Sequence, residues 1–325
     1  MNNLFVVIVD ENDSNYRDGL NIITRPFNDN IDDHYGDGGY YFTNIKNINN
    51  YYHRGTILRL VELPTNNPNL QVINLGDKWR ANMIILKESF SLYDEKTYEK
   101  FSLEISDNDY IMDFASIAGL IDVLNNLSKH KLKYSVNSMN KASIRGNLDV
   151  LNWWLKSKLP LLYTEMAIDD ASSRGLINVL DWWLNASLYH GLYFKYTKTS
   201  INLASKNGHI DVLDWWLKTS NKYHIKLKYS DAAIDTASMN NHINVLNWWL
   251  ENSKKFNIEL KYSISSMDYA SWNNHEQVLD WWKKSGLELK YSKNCNNWID
   301  RFDRKSILEW WKKSNLKYKF KHTID

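Results

Sequence analysis

Residues 204–220, ASKNGHIDVLDWWLKTS, contain the pattern that decides the fold of most of this chain. A nine-residue string built on a Trp-Trp pair, here VLDWWLKTS from Val212, occurs six times in related wording. The other copies begin at positions 150, 179, 245, 278 and 307 and read VLNWWLKSK, VLDWWLNAS, VLNWWLENS, VLDWWKKSG and ILEWWKKSN. Self-similarity at a fixed period is the signature of a repeat architecture, so these copies predict a repeat protein.

A tyrosine followed by Ser or Thr marks the start of each repeat. These marker tyrosines are spaced by 29, 33, 33, 33 and 29 residues, at Tyr134, Tyr163, Tyr196, Tyr229, Tyr262 and Tyr291. Phe320 takes the same place after the last of them. The four extra residues of the long repeats follow the Trp-Trp segment and equal about one helical turn, which predicts a longer second helix there. Atypical end units, with Ala115 in the first and Ile299 in the last, are what a solenoid requires.

The repeat that begins at Tyr196 predicts two helices joined by a tight turn. Thr197 is placed to cap the first helix, and Ala204 is a small residue on its inner face. Gly208 is suited to the left-handed turn that ends this helix. The apolar residues that begin at Val212 then form one broad face of a second helix. Each repeat is therefore predicted to be a helix-turn-helix unit.

This Ala-rich helix, Gly-His turn and Val/Leu-rich helix resemble the core of an ankyrin repeat. The Thr-Pro-Leu-His opening of ankyrin repeats is absent, and a Leu-Lys-Tyr-Ser connector replaces the usual hairpin. The chain as a whole resembles the ankyrin-repeat-like proteins of giant amoebal viruses, including a front segment similar to residues 19–28, 38–45 and 78–86. The resemblance implies a host-interaction or scaffold role and no defined chemistry for the front segment.

Residues 1–104 do not repeat and have the pattern of a small α+β domain. Short β-branched or alternating runs predict strands near residues 4–9, 38–43, 56–63, 70–75 and 81–86, and residues 44–53 and 94–101 are expected to be helical. The predicted organisation is a mostly antiparallel α+β front domain over 1–104, followed by an all-α, ankyrin-like solenoid over 105–325.

Composition narrows the class of function. Formal net charge is +2, which gives no global attraction to nucleic acid or acidic membrane. The single cysteine, Cys295, excludes an internal disulfide. No apolar run is long enough for a signal peptide or a membrane span, so we expect an intracellular protein of the host cytoplasm. No nucleotide-binding, hydrolase or metalloprotease motif occurs, which predicts no enzyme activity, no cofactor and no metal.

The Trp-Trp pairs could stack bases or sugars, or they could form the core. The second tryptophan lies four residues after the Val or Ile that begins each copy, on the apolar face of the helix. A ladder at the ~10 Å spacing of helix layers is also too wide for continuous base stacking. We therefore predict structural core at Trp154, Trp183, Trp216, Trp249, Trp282 and Trp311.

Two other recurring features have an open interpretation. A lysine precedes most marker aromatics, and stacked repeats would align these lysines into a basic stripe or a solvated edge. The stripe would comprise Lys133, Lys195, Lys228, Lys261 and Lys290, with Lys319 beyond them. His209, His242 and His275 recur every 33 residues, too far apart for a metal site, and are expected to bond across turns.

The best functional candidate is a stripe on the first helices, three, six and ten residues after each marker. Its residues vary while the framework stays constant, as expected of a surface that binds a specific partner or of neutral drift. The partner-binding prediction comprises Asp169, Lys206, Asp235, Met239, Asp268 and Trp272. The predicted function is a protein–protein interaction scaffold. Polyanion binding through the lysines, or an unrecognised enzyme in the front domain with repeats that recruit substrate, remain alternatives.

Overall fold

A computed structural model of the chain describes residues 4–11, 13–292 and 305–316. Expectations for Cys295, Ile299, Lys319 and Phe320 lie outside these residues. The described chain divides into two compact units. The first contains the described residues up to Ala142 together with Asp149–Leu162, and the second contains Ser143–Leu148 and the described residues from Tyr163 onward. The boundary near residue 104 therefore stays a prediction based on the change of sequence pattern.

The front region is built on one seven-stranded sheet in which every neighbouring pair of strands is antiparallel. The sheet order is β2-β7-β4-β1-β3-β6-β5. The strands are β1 (Phe5–Val9), β2 (Gly19–Ile22), β3 (Tyr40–Asn44), β4 (Ile57–Glu62), β5 (Val72–Asn74), β6 (Lys78–Ala81) and β7 (Met83–Ser91). This arrangement confirms the predicted α+β class.

Apolar side chains on one face of this sheet form its main core cluster. Residues that point to this face from the five central strands pack together, and they include Val7, Phe42, Val61, Ala81 and Ile84. Two elements outside the sheet complete the region. A 3-10 helix over Ile45–Arg54 begins at Asn44, whose side chain accepts a hydrogen bond from the backbone N–H of Lys46. Helix α1 (Glu95–Phe101) is capped in the same way by Asp94.

Pairs of helices follow, as the repeat period predicts. They begin after a short 3-10 turn at Ile105–Asp107. The first helix of each successive repeat is α2 (Ile111–Ala118), α4 (Asn137–Arg145), α6 (Met166–Ser173), α8 (Lys198–Lys206), α10 (Ala232–Met239) and α12 (Ser265–Trp272). The second helices are α3 (Ile121–Leu127), α5 (Leu148–Lys156), α7 (Ile177–His190), α9 (Ile210–Tyr223), α11 (Ile243–Phe256), α13 (Glu276–Lys284) and α14 (Lys305–Ser314).

The difference between 29- and 33-residue repeats lies where the sequence predicts it. The second helices α7, α9 and α11 of the long repeats have 14 residues each, whereas α5 and α13 of the short repeats have nine. Within the second unit, the first helices α6, α8, α10 and α12 pack side by side in chain order. The array therefore grows by stacking one helix pair on the next, with the small Ala residues, such as Ala204, fully buried in it.

Local capping residues explain where the helices begin and end. Thr197 Oγ1 accepts a hydrogen bond from the N–H of Thr199 at 3.0 Å, which caps α8. Gly208 has φ +78°, a left-handed conformation that a residue with a Cβ rarely adopts. A Cβ added there would also lie 3.0 Å from the ring of His242. Across the described residues, no helix is both long enough and apolar enough to cross a membrane.

Candidate functional site

The second tryptophan of each pair is buried and bonded to another repeat. The exposed fraction of these side chains is 2% or less. In every copy the indole N–H donates to a serine hydroxyl on a first helix of an earlier repeat, at 3.0–3.2 Å. The pairs are Trp154–Ser116, Trp183–Ser143, Trp216–Ser172, Trp249–Ser205, Trp282–Ser238 and Trp311–Ser271. A buried indole needs such an acceptor, so the recurring serine explains how the recurring tryptophan is tolerated.

The first tryptophan of five of the six pairs makes a second interrepeat bond. Its ring lies nearly perpendicular to the second tryptophan, as in Trp215–Trp216, where the ring centroids are 5.2 Å apart. In these five, the N–H donates to the Asp or Asn directly before the Trp-Trp pair of the previous repeat, or to its equivalent Asn125 in the first unit, at 2.7–2.8 Å. These pairs are Trp153–Asn125, Trp215–Asp181, Trp248–Asp214, Trp281–Asn247 and Trp310–Asp280. Neither ring presents its face as a continuous stacking platform.

Part of the predicted partner-binding stripe lies inside the array. Asp169 and Asp235 are only 6% and 5% exposed, so the expectation that they face solvent is wrong. The carboxylate of Asp169 accepts hydrogen bonds from the backbone N–H and the hydroxyl of Thr197, at 2.9 and 2.5 Å, and from Ser200. Asp235 repeats this arrangement with Ser263 and Ser266. Both aspartates therefore bind the helix start of the next repeat.

Asp268, the third predicted aspartate, has the same orientation and is half-buried. Its carboxylate accepts the N–H of Ser292 at 2.9 Å, and burial raises its pKa above the ordinary aspartate value. The physical reason for all three corrections is the same. A helix start has backbone N–H groups without intrahelical partners, and a neighbouring carboxylate satisfies them.

The predicted basic stripe is also used within the array. The ammonium group of Lys195 lies 4.4 Å from the ring centroid of Tyr163 and donates to the Tyr163 carbonyl at 3.1 Å. Lys228 contacts Tyr196 in the same way, at 4.1 and 3.0 Å. The same lysine-over-tyrosine contact is made by Lys261 on Tyr229 and by Lys290 on Tyr262. Lys133 instead pairs with Asp109 at 3.1 Å. These amines are therefore engaged in contacts within the array.

Two of the three recurring histidines, His209 and His275, bond across turns, as expected. Nε2 of His209 lies 3.0 Å from the carbonyl oxygen of Ser173, and Nε2 of His275 lies 3.1 Å from that of Met239. Burial lowers the pKa of His275. Among the residues that the structure describes, no group of three or more His, Cys, Asp or Glu could hold a metal ion.

The acid-rich loop of the front region is held by a buried arginine. Arg80 is fully buried, and its guanidinium donates to the carbonyls of Asn30 and Asp33 and to the Tyr41 hydroxyl, at 2.7–3.0 Å. The side chain of Asn28 donates to the Asp33 carboxylate at 2.8 Å, which lowers the pKa of that group. This loop is thus an internally bonded structure around Arg80.

Without the buried and half-buried aspartates, the predicted surface on the first helices is smaller. Lys206 and Met239 of the predicted set are partly exposed, and Trp272 is 37% exposed. The structure adds Ile264 and Tyr269, which are 50% and 45% exposed and were not predicted. The sequence does contain a signal for these two residues, because the positions two and seven residues after each marker tyrosine also vary between repeats.

The site and the fold together define a repeat protein of paired helices. No family model matches the chain. Its homologues include an uncharacterized protein of Acanthamoeba polyphaga mimivirus, 52% identical over 157 residues that cover 48% of this chain and 49% of the relative. Two further mimivirus homologues, each provisionally named an ankyrin repeat protein, are 35% and 40% identical over 39% and 34% of this chain. The matches cover 65% and 34% of those two proteins.

The chain therefore spans about a third to two thirds of the length of these curated relatives. Among solved structures, the human ASB11 ankyrin repeat domain aligns with 55% of this chain and 85% of its own length, at 16% identity and a TM-score of 0.41. The relatives agree with the resemblance inferred from the repeat pattern. They are giant-virus proteins, and several carry the ankyrin repeat name.

Proposed function

We propose that this chain is a protein-interaction scaffold and that its partner docks on the exposed side of the first helices. Homology to proteins named for ankyrin repeats supports a protein-binding repeat scaffold in general. The proposal that the partner docks on the first helices rests on one observation. Exposed apolar side chains are concentrated on one first helix and the residue before it. Ile264, Tyr269 and Trp272 are all between 37% and 50% exposed there.

These three side chains fit one docking surface. At 3.6 residues per turn, positions 264, 269 and 272 fall within an arc of about 140° on the helix. Exposed aromatic residues are enriched at the energetic centres of protein interfaces. The equivalent positions of the repeat that starts at Tyr196 are Lys198, Leu203 and Lys206, so the apolar set is specific to this repeat. We call Ile264, Tyr269 and Trp272 the α12 patch.

Polyanion binding is the less favoured function. The lysines that would form a cationic track contact tyrosine rings and carbonyl groups of the previous repeat. Lys133, Lys261 and Lys290 also form ion pairs with Asp109, Glu259 and Glu288, which reduces the number of phosphates that the stripe could pair with. A steep fall of binding with salt would support this alternative, whereas docking on the α12 patch predicts a modest salt dependence.

The test uses the whole chain as bait in an amoebal lysate, with bound proteins quantified by mass spectrometry. One variant carries Ile264→Ser, Tyr269→Ser and Trp272→Ala, and a matched control carries Tyr189→Ser on α7, where the side chain is 75% exposed. We expect the first variant to lose at least ten-fold of a partner that the control retains, with melting temperatures checked for both. Equal capture by both variants contradicts the assignment of the patch.

A further inference from the structure

The front region contains a small cavity that no repeat residue lines. It has a volume of about 100 Å³. Its wall is formed by one face of the sheet, the 3-10 helix and the loop before β3, and includes Ile8, Tyr35, Tyr41, Tyr51, Arg54 and Lys78. Thr43 pairs with Lys78 and Tyr41 with Arg80, and paired residues of antiparallel strands share a face. The side chains of Tyr41 and Lys78 are therefore fixed on the same side of the sheet, toward the 3-10 helix.

Two cations at this cavity form no ion pair with any residue that the structure describes. Lys78 is 7% exposed, and neither Lys78 nor Arg54 forms an ion pair within 4 Å in the described part of the chain. Asp77 is the carboxylate that acts most strongly on Lys78, and it already accepts the Tyr51 hydroxyl at 2.6 Å. A buried charge without a counter-ion is costly, so such a lysine needs a reason to be there.

Aromatic rings line the approach to the buried lysine. The Lys78 ammonium lies 4.1 Å from the ring centroid of Tyr35 and 5.1 Å from that of Tyr41. These contacts hold the ammonium in place but supply no negative charge. Burial lowers the pKa of Lys78, and the nearby Arg54 and Arg80 act in the same direction. An anion bound between Lys78 and Arg54 would act in the opposite direction and raise the pKa of Lys78.

A larger cavity adjoins the small one and shares part of its wall. Its volume is about 590 Å³, and its lining includes Tyr35, Tyr41 and Arg54 together with Tyr16 and Tyr40. A ligand whose anionic group occupies the small cavity therefore has room for a larger substituent next to it. The aromatic residues of the larger cavity favour a substituent with a planar ring.

We infer that this paired cavity is a binding site for a small phosphate monoester with a planar ring. The phosphoryl group lies between Lys78 and Arg54, and the ring lies among the tyrosines of the larger cavity. Two cations match the double negative charge of a phosphate monoester better than the single charge of a carboxylate. The site is separate from the α12 patch, so its failure and the failure of the proposed scaffold function are independent results.

Calorimetric titration of the full chain tests the inference with three probes: inorganic phosphate, AMP and O-phospho-L-tyrosine. We expect binding by at least one organic phosphate with higher affinity than inorganic phosphate. Preference for AMP assigns the ring as a nucleobase, and preference for phosphotyrosine assigns it as a phenyl group. An absence of binding by all three at millimolar concentration overturns the inference.

Three variants connect binding to the named cations. Arg54→Gln and Lys78→Gln should each weaken the preferred probe at least ten-fold. Lys46→Gln removes the same charge from an exposed position of the same 3-10 helix and should leave affinity unchanged within two-fold. Lys78 is buried, so its variant also requires a check of folding by circular dichroism, whereas Arg54 is exposed and carries the test if Lys78→Gln fails to fold. Equal weakening by Lys46→Gln and Arg54→Gln overturns the inference, because it indicates general charge attraction.

Discussion

The carboxylate of Asp169 accepts a hydrogen bond from the hydroxyl of Ser200, which lies in the next repeat. The same relationship recurs between Asp113 and Ser138 and between Asp235 and Ser266. Asn202 occupies the equivalent position of another repeat, and the chain has Ala233 where a serine would follow. Asp thus accompanies Ser and Asn accompanies Ala at these four interfaces of the array.

The physical reason lies in the donors that each side chain can use. A carboxylate only accepts hydrogen bonds, and Asp169 receives one N–H and two hydroxyl groups. An amide has its own donor. Nδ2 of Asn202 donates to the Ser230 hydroxyl at 2.8 Å, while Oδ1 accepts the Ser230 N–H at 3.1 Å. An asparagine interface therefore does not need the second hydroxyl.

This pairing predicts a specific double-mutant result. Ser200→Ala should lower the free energy of unfolding by about 1–3 kcal/mol, because it removes a donor from a buried carboxylate. Asp169→Asn combined with Ser200→Ala recreates the Asn202–Ala233 combination and should recover at least about 1 kcal/mol of that loss. Urea unfolding of the wild type, both single variants and the double variant measures the coupling. Purely additive effects would contradict the pairing.

The indole–hydroxyl bond predicts different costs for its two partners. Trp216→Ala should reduce the free energy of unfolding by about 3–5 kcal/mol through loss of buried area and the remaining cavity. Ser172→Ala should cost about 1–2 kcal/mol, because the Trp216 N–H, 3.2 Å from the hydroxyl, loses its acceptor while buried. Thr199→Ala, at an exposed position of α8, is the control and should change stability by less than about 0.5 kcal/mol. Denaturant unfolding ranks the three variants. An unchanged midpoint for Trp216→Ala would contradict the core assignment and favour a ligand-binding role for the ring.

The helix pairs could be predicted from the sequence because their signal is repeated. Six copies of one apolar pattern define the helix face that holds Trp216 and the turn that holds Gly208. The position of Asp169 could not be inferred in the same way. Alternation between Asp and Asn looks like surface variation, although both side chains accept the same backbone N–H in the next repeat. Only the packed helix start distinguishes a bonded polar residue from an exposed one.

The front region shows the limits of short patterns. Strand β2 (Gly19–Ile22) was not predicted, because four residues with a central Asn carry little periodicity. It is stabilised by pairing with β7, which lies more than sixty residues later in the chain. The segment at Ile45–Arg54 was expected to be helical, and it is a 3-10 helix. The cavity beside Lys78 combines residues from strands, the 3-10 helix and a loop. No contiguous sequence motif therefore predicts it.

The connector lysines should act on stability. Lys228→Met keeps most of the side-chain stem but removes the charge above Tyr196 and the bond to its carbonyl. We expect a loss of about 0.5–1 kcal/mol in the free energy of unfolding. Lys226→Met is the matched control two residues away, with an exposed side chain, and should have no measurable effect. If Lys228→Met leaves stability unchanged but weakens retention on heparin more than Lys226→Met does, the basic-stripe interpretation gains support over the structural one.

The turn histidines predict a weak acid sensitivity of the array. Burial lowers the pKa of His275 below its ordinary value of 6.5, so the folded state prefers the neutral ring. When pH falls through 6.5, the unfolded chain takes up this proton first, which favours unfolding. The contribution of His275 is thus fully present above that pH and is lost as pH falls from 6.5 toward the lower pKa of the folded state.

His275→Gln keeps a side-chain donor for the Met239 carbonyl but cannot titrate. We therefore expect the melting temperature of the variant to fall less than that of the wild type between pH 7.5 and 5.5. His190→Gln, on an exposed ring at the end of α7, is the control and should follow the wild type. Parallel curves for all three proteins would assign the acid sensitivity to groups other than His275.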